Sequence, residues 1–165
     1  MYEYERSGKL QRLVRRMAAT RPAAWICARV QHRVDRLVYA LTRGRTTISS
    51  WTSGLPIVML TTIGARTGRK HTVPLLALRD GADVVVIASN YGRPRHPSWY
   101  HNLKAHPRAW IAIEGLAHEF EAREIAGIER ERYFQEAVEM YPGFLKYRRW
   151  AAERRIRVVR LSKSS

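Results

Sequence analysis

Between residues 56 and 125 the apolar positions fall in short alternating or continuous runs, whereas outside that region they recur every three to four residues. A repeat of two marks strands and a repeat near 3.6 marks helices. The runs 56–63, 71–79 and 83–89 predict three strands, with Asp80-Gly81 turning the chain between the second and third. Val84, Val85, Val86 and Ile87 form a continuous, β-branched stretch, which predicts a strand buried on both faces. A short helix is expected over 97–105, with Ser98 placed to cap its start and Pro107 beyond its end. Residues 108–114 and 118–125 read as a second hairpin around Gly115. An amphipathic helix over 128–140 follows, then Tyr141-Pro142-Gly143, a short helix reaching 153, and a last strand over 156–161. Short strands in hairpins with few helices predict an α+β chain built on a small, mostly antiparallel barrel with helices outside.

The N-terminal part reads differently. Residues 8–43 have helical spacing, broken near Arg21-Pro22 and ended by Gly44. After the break, Ile26, Val30, Val34, Leu37, Val38 and Leu41 share one arc, opposite Arg29, His32, Arg33 and Arg36. Such a helix either packs on the domain with a solvated basic face or lies on an anionic membrane surface. The expected organisation is thus a basic amphipathic segment over 1–45 and a barrel domain over 46–165.

Composition narrows the classes. A chain of 165 residues, 45% apolar, is long enough for one domain with a real core. Its single cysteine, Cys27, excludes an intrachain disulfide framework and fits a packed thiol in a reducing cytoplasm. No apolar stretch approaches the roughly 18–20 residues of a membrane span, and the N-terminus lacks the apolar core of a secretory signal. The net charge is +16, unevenly spread: residues 111–140 hold 8 Asp/Glu against 3 Lys/Arg, and every other part of the chain is basic. A field of that sign attracts anions, whether nucleic acid, lipid or an acidic cofactor. The lack of a recognition-helix, zinc-finger or RNP pattern argues against nucleic acid.

Four places in the sequence carry candidate chemistry. Gly64-Ala65-Arg66-Thr67-Gly68-Arg69-Lys70-His71 links two strands. It is either a solvated turn or a cradle in which backbone N–H groups and cationic side chains meet a phosphate or carboxylate. It is not a Walker loop or a dinucleotide fingerprint. Ser89-Asn90-Tyr91-Gly92 follows the most buried strand and either lines a site or simply turns. Trp99 and Asn102 share the short helix, where an aromatic beside an amide either holds a planar ring or serves the core. Tyr141, Phe144 and Tyr147 are spaced by three and share a helical face, as a packing stripe or a pocket wall. His71, His96, His101, His106 and His118 form no metal pattern, and there is no G-x-S-x-G elbow. Binding groups without an obvious base or nucleophile suit an enzyme whose cofactor performs the chemistry.

Taken together these residues resemble the deazaflavin-dependent nitroreductase and quinone-reductase family. Its members use coenzyme F-420, an 8-hydroxy-5-deazaflavin with a phosphodiester and a polyglutamate tail. The resemblance runs from about Ile57 to Leu161. It is carried by L-T-T-x-G-x-R-T-G at 60–68, V-P-L-L at 73–76, R-D-G at 79–81, V-V-I-A-S-N at 85–90, P-S-W-Y-H-N-L-K-A-H-P at 97–107 and M-Y-P-x-F-x-x-Y at 140–147. The family implies a split β-barrel like that of flavin reductases and pyridoxamine-phosphate oxidases. It implies that Arg66, with Thr67, Gly68, Arg69, Lys70 and His71, grips the acidic tail. It implies that Pro74 lines the cofactor, that Ala88, Ser89 and Asn90 lie near its phosphate and ring, and that Trp99 and Asn102 contact it. Leu76, Tyr141, Phe144 and Tyr147 match the residues over the substrate; the proton is expected from solvent or from a nearby hydroxyl, with Tyr141 or Tyr147 the candidates. Three positions depart from the family pattern. His71 stands where an arginine is frequent, which makes one charge contact pH-dependent. Leu76 and Phe144 replace tyrosines of the nitroreductase member, removing hydroxyls that would orient a nitro group.

The expectation is therefore an F-420H2-dependent oxidoreductase passing hydride to an electron-poor acceptor such as a quinone or nitro compound, with no metal. An FMN-binding reductase and a non-catalytic lipid- or membrane-associated protein of the same fold are the alternatives. The expected location is the cytoplasm, at the inner face of the membrane if the basic helix binds lipid.

Overall fold

The computed structural model describes residues 55–113 and 116–163. The helix expected over 8–43, with Cys27, lies outside them. Among the described residues the chain forms six strands: β1 (Ile57–Ile63), β2 (Lys70–Asp80), β3 (Asp83–Ile87), β4 (Arg108–Ile113), β5 (Leu116–Ile125) and β6 (Val158–Lys163). They close into an antiparallel barrel in the order β1-β2-β3-β6-β5-β4, with β4 returning to β1. Among the described residues three α-helices accompany them: α1 (Ser98–Ala105), α2 (Gly127–Met140) and α3 (Gly143–Trp150). The expected split-barrel class holds, and so does the expected order of elements over the described residues.

The two faces of the strands build two cores. Leu60, Ala77, Val86, Ile111, Phe120 and Leu161, one from each strand, meet inside the barrel, and Trp99, Tyr100 and Leu103 of α1 pack with them. Leu78, Val85, Ile87, Ile125 and Val158 point outward and are covered by Tyr133, Phe134 and Ala137 of α2 and Phe144 and Tyr147 of α3. β3 thus sends Val84 and Val86 inward and Val85 and Ile87 outward, all of them buried. This is the burial on both faces that its unbroken β-branched run predicts.

Some boundaries differ from expectation. Ser98 does not cap α1: Pro97 holds the capping position with no side-chain hydrogen bond, and Ser98 is the first helical residue. β3 stops at Ile87 rather than 89, because the next residues turn sharply. The β2–β3 turn is as expected, with Asp80 paired to Asp83 and Gly81 at φ +60°, as a type II′ hairpin requires.

That early stop of β3 opens the barrel wall. Pairing of β2 with β3 runs from Asp80↔Asp83 to Ala77↔Val86 and goes no further. Continuing the register would set Pro74 against Ser89, but the chain has left by then. Lys70–Leu76 therefore has β1 on one side and, among the described residues, no strand on the other. The N–H of Ala77 donates to Pro56 O, so by alternation the ring nitrogen of Pro74 faces the unpaired edge. A proline is tolerated there because no ladder hydrogen bond is forfeited.

Candidate functional site

Three features converge on this open seam: the β1–β2 connection, the turn after β3, and the aromatic face of α3. The connection is a tight, ordered loop. Gly64 N donates to Arg69 O and Gly68 N to Gly64 O, both at 2.8 Å. Gly68 has φ +63°, which favours glycine. A Cβ on Gly64 would lie 2.5 Å from Thr67 Oγ1. Thr67 Oγ1 in turn accepts from Arg69 N at 3.3 Å and sits 3.4 Å from Nε2 of His71.

Asn102 ties this loop to α1. Its Oδ1 accepts from Ala65 N at 3.0 Å, and its Nδ2 donates to Thr62 Oγ1 at 3.0 Å. The residue is only 8% exposed, and its bond to Thr62 forms where water does not compete, while that to Ala65 is partly buried. The amide thus holds the backbone of the loop, while Arg66, Thr67, Arg69, Lys70 and His71 remain exposed.

The loop's charge is uncompensated. Elsewhere arginines meet carboxylates: Arg108 with Glu119, Arg148 with Glu131, Arg157 with Glu124, and Arg160 with Asp80 and Glu129. Among the described residues no carboxylate pairs with Arg66, Arg69 or Lys70. Lys70 Nζ instead rests 4.0 Å above the ring of Trp110. An ordered loop whose cations meet no carboxylate among the described residues could receive an anion.

The turn after β3 is left-handed through three residues, Asn90 (φ 47°), Tyr91 (φ 55°) and Gly92 (φ 74°). The Asn90 amide donates to Arg95 O at 2.8 Å. Gly92 is required by packing as well as by conformation, since a Cβ there would come within 2.8 Å of the Trp150 Cβ. Ser89 and Asn90 are partly buried, and Ala88 faces the barrel interior.

On α3 and just before it, Tyr141, Phe144 and Tyr147 form one buried cluster, with Leu76 and Tyr91 packed against it. The hydroxyls of Tyr141 and Tyr147 are 3.3 Å apart. Phe144 stands edge-on to both tyrosines and to Phe134. The ring of Tyr141 lies over Gly143, where a Cβ would sit 2.3 Å from it.

The expected site residues thus fall into three groups. The loop 66–71 is exposed and basic, and Pro74, Leu76, Ser89 and Asn90 flank the seam. The residues Tyr141, Phe144 and Tyr147 close one end. Trp99 is packed inside the barrel at 5% exposure, and Asn102 acts on the loop's backbone. Two residues receive no role of their own from the sequence: Tyr91, although its turn is singled out, and Arg154. Tyr91 stands T-shaped to Tyr147 at 5.9 Å, and Arg154 reaches the turn after β3 from beyond α3. Nothing in the run Glu153-Arg154-Arg155 marks the middle residue, because its partners are backbone carbonyls about sixty positions earlier.

Around α1 the charges are ordered too. Tyr100 donates to Glu124 Oε2 at 2.7 Å, and Arg157 Nη1 donates to Glu124 Oε1 at 3.0 Å. Burial first, and then Glu124, push the Tyr100 phenol up to about 12. His96 is held below the usual imidazole range by burial and by the nearby Arg154.

Known proteins are similar to this chain in sequence and in fold. The family model of F420H(2)-dependent quinone reductases matches residues 30–163. An F420H(2)-dependent quinone reductase of Mycobacterium tuberculosis is 45% identical over 58 residues, which are 35% of this chain and 39% of that protein. The match therefore spans about two-fifths of that relative's length. A second, provisionally named F420H(2)-dependent quinone reductase of M. tuberculosis is 31% identical over 105 residues, 64% of this chain and 87% of that protein. The solved structure of an F420-H2 dependent reductase, FDR-A, superposes with a TM-score of 0.59 at 38% identity, covering 65% of this chain and 94% of that one. With four-fifths of its length matched by the family model, this chain belongs to the F420H(2)-dependent quinone reductase family.

Proposed function

We propose that this protein is an F-420H2-dependent oxidoreductase that reduces a quinone. The observation that carries the reading is the rigid, basic, carboxylate-free loop at 64–71 beside an open barrel seam, with a buried tyrosine pair beyond it. The donor set fits the cofactor. Arg66, Arg69, Lys70 and His71 would hold its multiply negative tail. Pro74, Ala88, Ser89 and Asn90 would flank the ring and phosphate. Trp99 and Asn102 would support them from α1. When bound, reduced F-420 supplies a hydride from C5 of its ring, and a quinone taking up that hydride and a proton becomes a hydroquinone.

The chain's own residues do the rest. The seam orients the bound partners and the aromatic cluster excludes water, which converts an encounter into a fixed geometry. Tyr141 and Tyr147, whose hydroxyls lie 3.3 Å apart, would pass a proton to the reduced acceptor. Leu76 and Phe144 present hydrocarbon at the acceptor end, which supports a quinone over a nitroaromatic acceptor.

The test is to titrate the full-length protein with F-420 and with FMN, then follow the loss of F-420H2 absorbance with a short-chain menaquinone or a nitroimidazole. Tight F-420 binding and faster menaquinone reduction are expected. Preference for FMN, or no turnover with any acceptor, overturns the reading. A cytoplasmic enzyme brought to anionic lipid by the basic segment 23–42 is the finer version, motivated by the Ile26-Val30-Val34-Leu37-Leu41 arc opposite Arg29, Arg33 and Arg36. Among the described residues no helix is long and apolar enough to cross a membrane. Flotation with anionic but not neutral vesicles is expected, and failure to float with either removes the lipid role.

A further inference from the structure

We infer that Arg154 is a positioning residue: its guanidinium clamps the left-handed turn at Asn90–Gly92 and so holds the cofactor side of the seam in register with the tyrosines of α3. The inference rests on the reading of this seam as the F-420 site.

The clamp reaches both ends of the turn. Before it, Arg154 Nη1 donates to Ala88 O at 3.0 Å and Nη2 to Ser89 O at 2.6 Å. After it, Nε donates to Arg93 O at 2.9 Å, and Nη1 lies 3.2 Å from Nδ1 of His96. One planar fork therefore spans the turn, and only a guanidinium offers so many donors in fixed directions. A cation would ordinarily seek a carboxylate. This one spends its donors on carbonyls and an imidazole, and its burial pulls its pKa down.

The turn needs holding. A tyrosine at φ +55° is a rare conformation that persists only where the surroundings impose it. The same turn meets α3 directly. Tyr91 packs on Tyr147, and Gly92 fits against the Tyr147 carbonyl and the Trp150 Cβ. Arg154 follows α3 through Ala152, itself left-handed at φ +52°, which reverses the chain toward the turn. The segment that leaves the acceptor helix thus returns to grip the strand end on the cofactor side.

His96 makes the clamp sensitive to acid. Its Nδ1 accepts from Arg154 only when unprotonated. Facing the ring are Arg154 and Arg157, which disfavour its charge, along with His101, Glu124 and the ring of Tyr100. Protonation would set a second cation against the guanidinium and release one end of the turn.

The experiment uses the full chain and two readouts. Hydrogen exchange without cofactor compares wild type, Arg154→Lys and Arg154→Met. Exchange over 88–96 should rise about tenfold in Arg154→Met, and less in Arg154→Lys, while β1, β4 and β5 keep their protection. Affinity for F-420 should fall about tenfold in Arg154→Met, with the salt dependence of binding unchanged because the basic loop is untouched. On acidification below the ordinary histidine value of 6.5, wild-type affinity should fall, and His96→Asn, which keeps an acceptor, should lose that response. Wild-type exchange over 88–96 in Arg154→Met, or loosening spread equally over the barrel, overturns the clamp. If wild type binds no F-420, the functional reading fails on its own, and the exchange arm still decides the clamp.

Discussion

Asn102 and Arg66 act on the same loop by different physics. Arg66 is exposed and, among the described residues, paired with no carboxylate, so Arg66→Ala should leave the melting temperature within a degree or two and weaken F-420 binding tenfold or more. A charge-assisted contact is worth about 1.5–3 kcal/mol. Asn102 is buried and bonded at both ends of its amide. Asn102→Ala strands the Ala65 N–H and the Thr62 hydroxyl, each costing about 1–3 kcal/mol when unsatisfied. It should lower both the melting temperature and the affinity. Thermal melts beside F-420 titrations separate the two, and equal melting losses in both variants would contradict the assignment.

At the level of elements, α3 begins against the ring it serves. Gly143→Ala would drive a methyl into Tyr141, whose ring atoms lie 2.3 Å from the new Cβ. Because Tyr141 and not the basic loop must move, quinone turnover should fall at least tenfold while the F-420 dissociation constant stays within twofold. Stability should drop by about 1–3 kcal/mol, the usual cost of overpacking. A second element-level prediction concerns α1, which Tyr100 fastens to β5 through Glu124. The folded phenol titrates near 12 rather than 10.0, so the folded state holds its proton more tightly. The stabilisation is whole below pH 10 and is lost as pH rises toward 12. Tyr100→Phe should flatten the alkaline limb of stability against pH, measured by urea unfolding. An unchanged limb would place the alkaline transition elsewhere.

Over the whole molecule, charge is sorted rather than merely positive. The acidic stretch supplies partners for structural arginines: Glu119 for Arg108, Glu124 for Arg157, Glu129 for Arg160 and Glu131 for Arg148. Those acids are thereby occupied, and the cations of the 64–71 loop stay available. Net charge of +16 reinforces the attraction at long range. F-420 affinity should therefore fall steeply as sodium chloride rises, since exposed pairs are screened over about 8 Å at physiological ionic strength. FMN, with its single phosphate, should respond less. Equal salt slopes for the two ligands would remove the tail from the loop.

The amino-acid sequence alone determined the order of strands and helices, the double burial of β3 and the chemical nature of the basic loop. These follow from local periodicity and from residue type, which neighbours far along the chain do not alter. It also brought forward Phe144 and Tyr147 as one helical face, whereas Tyr141, expected on that face, is extended backbone before α3 and joins them only through packing. The tertiary structure decided what each group does. Trp99 and Asn102 read alike as short-helix candidates, yet one fills the barrel and the other pins a loop thirty-seven residues away. Ser98 looked like a cap and is not one, because Pro97 takes that place. The seam beside Pro74 exists because β3 leaves its register early, and Arg154 matters only because a reversal at Ala152 carries it back to that departure. Pairing, packing and clamping join residues far apart in sequence, and no local pattern records such a join.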